Sequence, residues 1–409
     1  MLIKNKKLYY YLIGVVLYLS LILGFIFNEN LTGGAYYDYK SHTEIINKFS
    51  KNFSDTLFKF HKEDTRHSPL LLIILSYFIK IGVSDTITRI VNLHFLLLII
   101  FFFYKCLKLK LNSLGKNNLY LISLLLFLSP TFRSLSIWPD SRLYGVFFFV
   151  ISIYFYLNFV KEENRKKKIK FALLNTFYLC LASYFSPNFS LFAIFYLVNF
   201  FFYFKISKYF FLIILLNFFL SIPALYYVFF LKIFFFLKPV SEAGGTLIAF
   251  NFANKIILIS SIFLFHYIPF FFFTKIKIKI NLNYLITIGL IFSILIHFFN
   301  YRLDFTGGGI IFKLSNFLFN NNYFLYFFAY LGLILKFNLC YKNRNNFLLI
   351  LLLILSNPQL EIYHKYYDPM LLIMFFTLFD INFDKLLLKK RIIILYIFSF
   401  LFLIVNLMR

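Results

Sequence analysis

Carboxylates are scarce in this chain. Only 16 Asp and Glu stand against 42 Lys and Arg, and charged residues of both signs fill 14% of its 409 positions. A soluble globular domain is nearer a quarter charged and half apolar. At 61% apolar, with a mean hydropathy of +0.79, this chain falls outside that class. Cysteine is as thin: Cys106, Cys180 and Cys340 stand far apart, each in or beside an apolar run. That spacing excludes a disulfide framework and a cysteine-based metal site. No separate basic domain gathers the positive excess into phosphate contacts, so nucleic acid is excluded as a partner. An internal repeat is lacking too, which leaves an inverted-repeat transporter without support.

What is there is a succession of apolar runs, many of roughly the 17–20 residues that cross a bilayer as a helix. The first, 8–27, follows Lys4, Lys6 and Lys7. Its apolar part exceeds the h-region of a signal peptide, about 7–15 residues, and no small-residue cleavage site follows, so it is expected to be a retained helix. Twelve further runs lie at 86–104, 118–137, 143–160, 171–185, 189–204, 210–230, 256–274, 284–299, 323–339, 347–356, 370–379 and 392–407. Counted from a cytoplasmic amino end, they put the basic connectors near 105–116, 161–170, 275–279 and 385–391 on one side, as the positive-inside rule demands. The run at 69–82 is short and carries Lys80, which suits an interfacial or re-entrant helix. Counting it as a span would reverse every later connector. The expectation is an all-α polytopic membrane protein, a single domain over 1–409 with about 13 transmembrane helices and interfacial helices in a first outer loop at 28–85.

That loop is the one long polar stretch, and it holds Glu29, Asp38, Glu44, Asp55, Glu63 and Asp64. Gly33 and Gly34 allow a tight turn out of the first helix. Asp38 follows, either a general base or a solvated loop acid. Glu63, Asp64 and His67 precede Pro69, which suits a first helical turn. They read either as ligands of a divalent cation or as a mixed-charge surface patch. The sequence WPDSR at 138–142 reads as an exposed turn, with Trp138 in the interfacial aromatic belt and Asp140 paired to Arg142. A last polar cluster, NPQLEIYHKYYDP at 357–369, lies between two short apolar runs, where irregular backbone is tolerated if it lines a cavity. Lys365 there, and Arg302 in the loop at 301–321, read either as phosphate-binding cations or as ordinary interfacial ones. His94, His266 and His297 fall inside apolar runs and read as hydrogen-bonded packing residues.

This layout resembles the glycosyltransferase C superfamily, especially its protein O-mannosyltransferases and the aminoarabinose transferases of lipid A. Asp38 falls where those enzymes carry an essential first-loop acid. RHSPLLLIILSYFIKIGVSDTITRI at 66–90 is similar to their His-Pro-Pro-Leu segment with its interfacial helix, and HKYYDP at 364–369 to their Arg-Tyr-x-x-Pro element. Ser68 replaces the first proline, Lys365 stands where arginine is commoner, and the second acid that several branches carry near the first is absent. The resemblance implies an inverting glycosyltransferase of the bacterial inner membrane with its active face periplasmic. Such an enzyme moves a sugar from a polyprenyl-phosphate carrier to a glycan, lipid or protein acceptor. Asp38 would be the general base. Glu44, Glu63, Asp64 and His67 would position the acceptor or a metal, and Arg302, Lys365 and Tyr366 would hold the donor phosphate. A divalent cation is left open as a cofactor. The rival expectations are a lipid-linked polysaccharide polymerase or ligase, and a lipid-linked sugar flippase. The flippase would need charges in mid-span, which these runs almost lack.

Overall fold

Backbone N–H and C=O groups cannot be left unpaired in hydrocarbon, so apolar runs of this length fold as helices, which satisfy those groups internally. The computed structural model describes residues 2–31, 34–63, 65, 67–230, 251–274, 281–305 and 307–408. Among the described residues there is no strand, only one isolated antiparallel bridge between Thr274 and Phe383.

The chain forms two compact units, one of residues 1–238 with 395–409, the other of 239–394. The first holds α1 (Leu2–Ile26), α2 (Ala35–Lys51), α3 (Phe53–Lys59), α4 (Pro69–Lys80), α5 (Asp85–Lys110), α6 (Lys116–Leu124), α7 (Pro130–Ile137), α8 (Ser141–Lys161), α9 (Arg165–Phe185), α10 (Phe192–Phe204) and α11 (Lys208–Phe229). The second holds α12 (Phe252–Tyr267), α13 (Leu282–His297), α14 (Gly309–Phe319), α15 (Tyr323–Cys340), α16 (Arg344–Leu355) and α17 (Met370–Thr377). A last helix, α18 (Lys385–Leu407), runs across the boundary and departs from helical geometry at Arg391. Short polar connectors set the starts. Ser84, Ser129, Asp140, Asn164, Asn251, Asn281 and Asn343 each accept a hydrogen bond from a backbone N–H in the first turn of the helix that follows.

Eight helices among the described residues are long and apolar enough to cross a membrane, the mark of a multi-pass membrane protein. The count of about 13 read from the sequence is not reached, for identifiable reasons. The run at 118–137 is broken by a 69° bend between Leu128 and Pro130. Proline cannot donate to the helix ladder and pushes the residue before it, Ser129, into extended backbone. The run at 171–185 lies in α9, whose first turns carry Arg165 to Lys168 and Lys170, too much charge for a span. The runs at 284–299, 347–356 and 370–379 fold as helices of 16, 12 and 8 residues. The last two reach about 18 and 12 Å, short of a hydrocarbon core of about 30 Å. In α17, Met370, Leu371 and every residue from Ile373 to Thr377 are buried in protein. Its apolarity answers to a protein interior, and an apolar run by itself does not tell interior from lipid. α4, at 12 residues, is likewise shorter than a span.

Candidate functional site

In the first unit the polar stretch after α1 folds into helices. α2 buries Ala35, Tyr39, His42, Ile45, Ile46 and Phe49, a helical-period stripe packed on α4. Gly34 precedes it at φ +152°, backbone that favours glycine. Asp38 sits in the first turn of α2, and His42, one turn on, shares its face.

Opposite this face lies the turn at 138–142. It is buried, which corrects its reading as an exposed turn. Trp138 is no belt residue: its indole N–H donates to the Glu29 carbonyl at 3.0 Å, and the Arg89 guanidinium lies 3.7 Å above its ring. Tyr36 meets the same ring edge-on at 4.7 Å. Arg133 is buried and donates to both Glu29 carboxylate oxygens, at 2.7 and 2.6 Å, and to the Ser20 hydroxyl at 3.0 Å. Asp140 accepts from the Arg142 backbone N–H at 2.7 Å, capping α8, rather than only facing a guanidinium. Its other carboxylate oxygen, Oδ2, is buried with no hydrogen-bond partner among the described residues. A buried, unbonded carboxylate oxygen is costly, and the crevice it lines is where a donor would relieve that cost.

Between the two faces stands His67. Its Nδ1 is 3.1 Å from the Ser141 hydroxyl, and its Nε2 is 4.0 Å from an Asp38 oxygen. The His42 ring packs edge-on to it at 4.6 Å, with Nε2 bonded to the Thr65 hydroxyl at 2.9 Å. Burial, and then repulsion from His67, push His42 down to about 3, while the charges of Asp38 and Asp140 pull the other way. His42 is therefore a neutral wall at physiological pH. Tyr39 donates its hydroxyl proton to Asp85, and burial followed by that carboxylate drives its phenol well above the usual range.

Asp38, His42, His67, Asp140 and Ser141 line a crevice of about 10 Å³ for a water-sized sphere's centre, room for about one water or one hydroxyl. Ser68 belongs to the wall of this crevice and to that of a second cavity of about 300 Å³. That cavity runs among α9, α10 and α11, with Leu179, Tyr184, Leu220, Tyr227 and Val228 in its mostly apolar lining.

The other residues singled out from the sequence lie elsewhere. Glu44 and Glu63 both pair with Lys48, at 3.0 and 3.1 Å, outside the crevice lining. Asp64 lies outside the described residues. No group of three or more His, Cys, Asp and Glu that would hold a metal ion occurs among the described residues. Arg302, Lys365 and Tyr366 belong to the second unit. Arg302 is exposed and engaged by Asp304, with Nε to Oδ1 at 3.1 Å. Lys365 lies 5.1 Å over the Tyr363 ring, itself 5.7 Å from that of Tyr366. Their segment is tied to the loop before α14. The Ile362 N–H donates to the Tyr301 hydroxyl, and the Gly308 N–H to the Ile362 carbonyl. A Cβ on Gly307 would meet that carbonyl oxygen at 2.8 Å, so only glycine fits. His266 and His364 meet Nε2 to Nε2 at 2.9 Å, and burial lowers His364 to about 3.

Ser141, Thr65 and the orphan oxygen of Asp140 were not legible as site features. The one sequence signal was the pairing of Asp with Ser at the start of a long apolar run, which marks a helix cap as readily as a site. No protein-family model, curated protein sequence or solved structure matches the chain.

Proposed function

We propose that this protein is a membrane glycosyltransferase of the glycosyltransferase C type. It transfers a sugar from a polyprenyl-phosphate carrier to a glycan, lipid or protein acceptor. The expected setting is the bacterial inner membrane, amino end cytoplasmic, with the Asp38 crevice on the periplasmic side. In this reading the bent pair and the shorter apolar helices complete a body of about 13 membrane-embedded segments.

One observation carries the reading: the carboxylate and histidine crevice shares Ser68 with an apolar cavity of about 300 Å³. A reaction between a hydroxyl and a lipid-linked sugar needs both environments side by side, a base for the hydroxyl and an apolar volume for the isoprenoid. Asp38 takes the acceptor hydroxyl's proton as its oxygen attacks the anomeric carbon. The bond from that carbon to the phosphate oxygen breaks, and its electron pair leaves with the lipid phosphate. With room for only one such group, an acceptor hydroxyl seated in the crevice displaces the water that would compete with it.

The test uses the full chain in nanodiscs with radiolabelled undecaprenyl-phosphate hexoses and pentoses, and membrane extract as acceptor. Asp38→Asn removes the base and keeps the shape, so transfer should fall by at least about 10²-fold, the usual contribution of a general base, with the protein still folded. Leu220→Trp, which fills the cavity, should block labelling of α9–α11 by a photoactivatable isoprenoid phosphate. Wild-type turnover in Asp38→Asn would remove Asp38 from the mechanism.

A further inference from the structure

We infer that Ser141 and His67 form a hydrogen-bonded chain that holds the Asp38 carboxylate in its working orientation, both acting as positioning residues. The inference rests on Asp38 being the base of the proposed transfer.

The imidazole of His67 is fixed on several sides. Its backbone N–H donates to the Thr65 hydroxyl at 3.1 Å, the His42 ring closes one side, and the Ser141 hydroxyl meets Nδ1. Ser141 is itself buried in the first turn of α8, a 21-residue helix whose start is capped by Asp140. A site residue hung from such an element keeps its geometry better than one on a loop.

Electrostatics selects the tautomer. The ring nitrogen that faces Asp38 is Nε2. Carrying the proton there, the ring points an N–H dipole at the carboxylate. Carrying it on Nδ1, the ring would point a lone pair at the same negative charge. The favourable arrangement is Nε2–H toward Asp38, with Nδ1 accepting from the Ser141 hydroxyl, a rotor free to donate. The separation of 4.0 Å exceeds a hydrogen bond, and catalytic contacts commonly tighten when substrate binds.

During transfer one Asp38 oxygen takes the acceptor proton while the other stays against the His67 N–H. The proton count on His67 does not change. This separates the chain from a Ser-His-Asp nucleophile system, in which Ser141 would attack the sugar and His67 would take its proton.

The chain is tested without substrate by ¹⁵N NMR of histidine-labelled protein in nanodiscs at about pH 8.5, above the ordinary imidazole range. His67 is assigned among the seven histidines by the signal missing in His67→Gln. The expected result is an Nε2–H tautomer in the wild type, with the tautomer ratio shifted in both Ser141→Ala and Asp38→Asn. In the transfer assay, Ser141→Ala should lower kcat about tenfold with donor KM within twofold, and Ser141→Thr, which keeps a hydroxyl, should restore it. An Nδ1–H tautomer in the wild type, or spectra of both variants identical to it, overturns the chain whatever the activity. Loss of all turnover in Ser141→Ala with the tautomer unchanged overturns it in favour of a nucleophilic serine. If Asp38→Asn is inactive while Ser141→Ala and His67→Gln turn over normally, the chain fails and the base survives. If Asp38→Asn is active, the proposed base fails first.

Discussion

The buried pair of Arg133 and Glu29 offers the sharpest test of the architecture, since it needs no substrate. The two side chains are 5% and 9% exposed, and the guanidinium grips both carboxylate oxygens. Ser20 of α1 adds its hydroxyl and its carbonyl, each at 3.0 Å. Gly24 makes room for the pair: a Cβ there would come within 2.4 Å of the carboxylate and 3.0 Å of the guanidinium. Breaking such a pair leaves one charge buried without its partner, which costs about 3–5 kcal/mol, whereas replacing both by apolar groups of like size is often neutral. Glu29→Gln and Arg133→Met should each destabilise by about 3–5 kcal/mol, and Glu29→Met with Arg133→Met together by much less than their sum. Trp138 is the one tryptophan in the sequence and donates to the Glu29 backbone, so its fluorescence through a denaturant titration in detergent reads this corner directly. Single variants within about 1 kcal/mol of wild type, or a double variant as damaging as both singles added, would refute the reasoning.

Other expectations follow from the same geometry. His42 is lowered to about 3 in the folded chain against an ordinary value near 6.5, so below about pH 6.5 the unfolded chain binds a proton that the folded one does not. Stability should fall by up to about 1.4 kcal/mol per pH unit between about pH 6.5 and 3 on this account, and His42→Gln should flatten that slope. A slope unchanged in His42→Gln would place the acid sensitivity elsewhere. In the second unit, a Cβ on Gly332 of α15 would stand 2.2 Å from the Ser260 carbonyl of α12. Gly332→Ala should cost about 1–3 kcal/mol by overpacking, read as a lower unfolding midpoint, and an unchanged midpoint would deny the close approach. Glu44→Gln and Glu63→Gln break pairs with Lys48, whose side chain is 44% exposed. Each should shift stability by less than about 1 kcal/mol and leave turnover alone, and a lost activity would return them to the acceptor site.

Much of the secondary structure was legible because both of its signals are local. Apolar runs gave the helices, and Pro69 marked the start of α4; the Ser, Asn and Asp caps of other helices are equally local signals. Asp38 and His67 were each visible as candidates, and the structure brings them together. Their partners were hidden. Ser141 lies 74 positions from His67, and Glu29 lies 104 from Arg133, pairings that no local pattern announces. Trp138 and Arg142 misled because a polar turn between apolar runs ordinarily meets water or headgroups. Here Glu29, Arg89 and Tyr36 cover the turn from other parts of the chain. His266 was read as packing, and its partner, His364, lies 98 residues on.

Ser68 shows how a local rule and a long-range arrangement meet in one residue. Its backbone is extended, as a residue before proline prefers, and its hydroxyl faces the Leu70 N–H at the start of α4. A proline at 68 would keep the first property and lose the second. α4, short and mostly apolar, buries Leu71, Leu72 and Leu75 against α2 and the crevice. Ser68 and the first turn of α4 then form the wall between a crevice with room for one hydroxyl and a mostly apolar cavity of about 300 Å³. If the proposed transfer holds, a helix long enough to cross the bilayer would carry that wall away from Asp38, and a more polar one would open the cavity to water. In the proposed transfer the length and composition of α4 would therefore bear on the chemistry as directly as Asp38, although none of its side chains has to react.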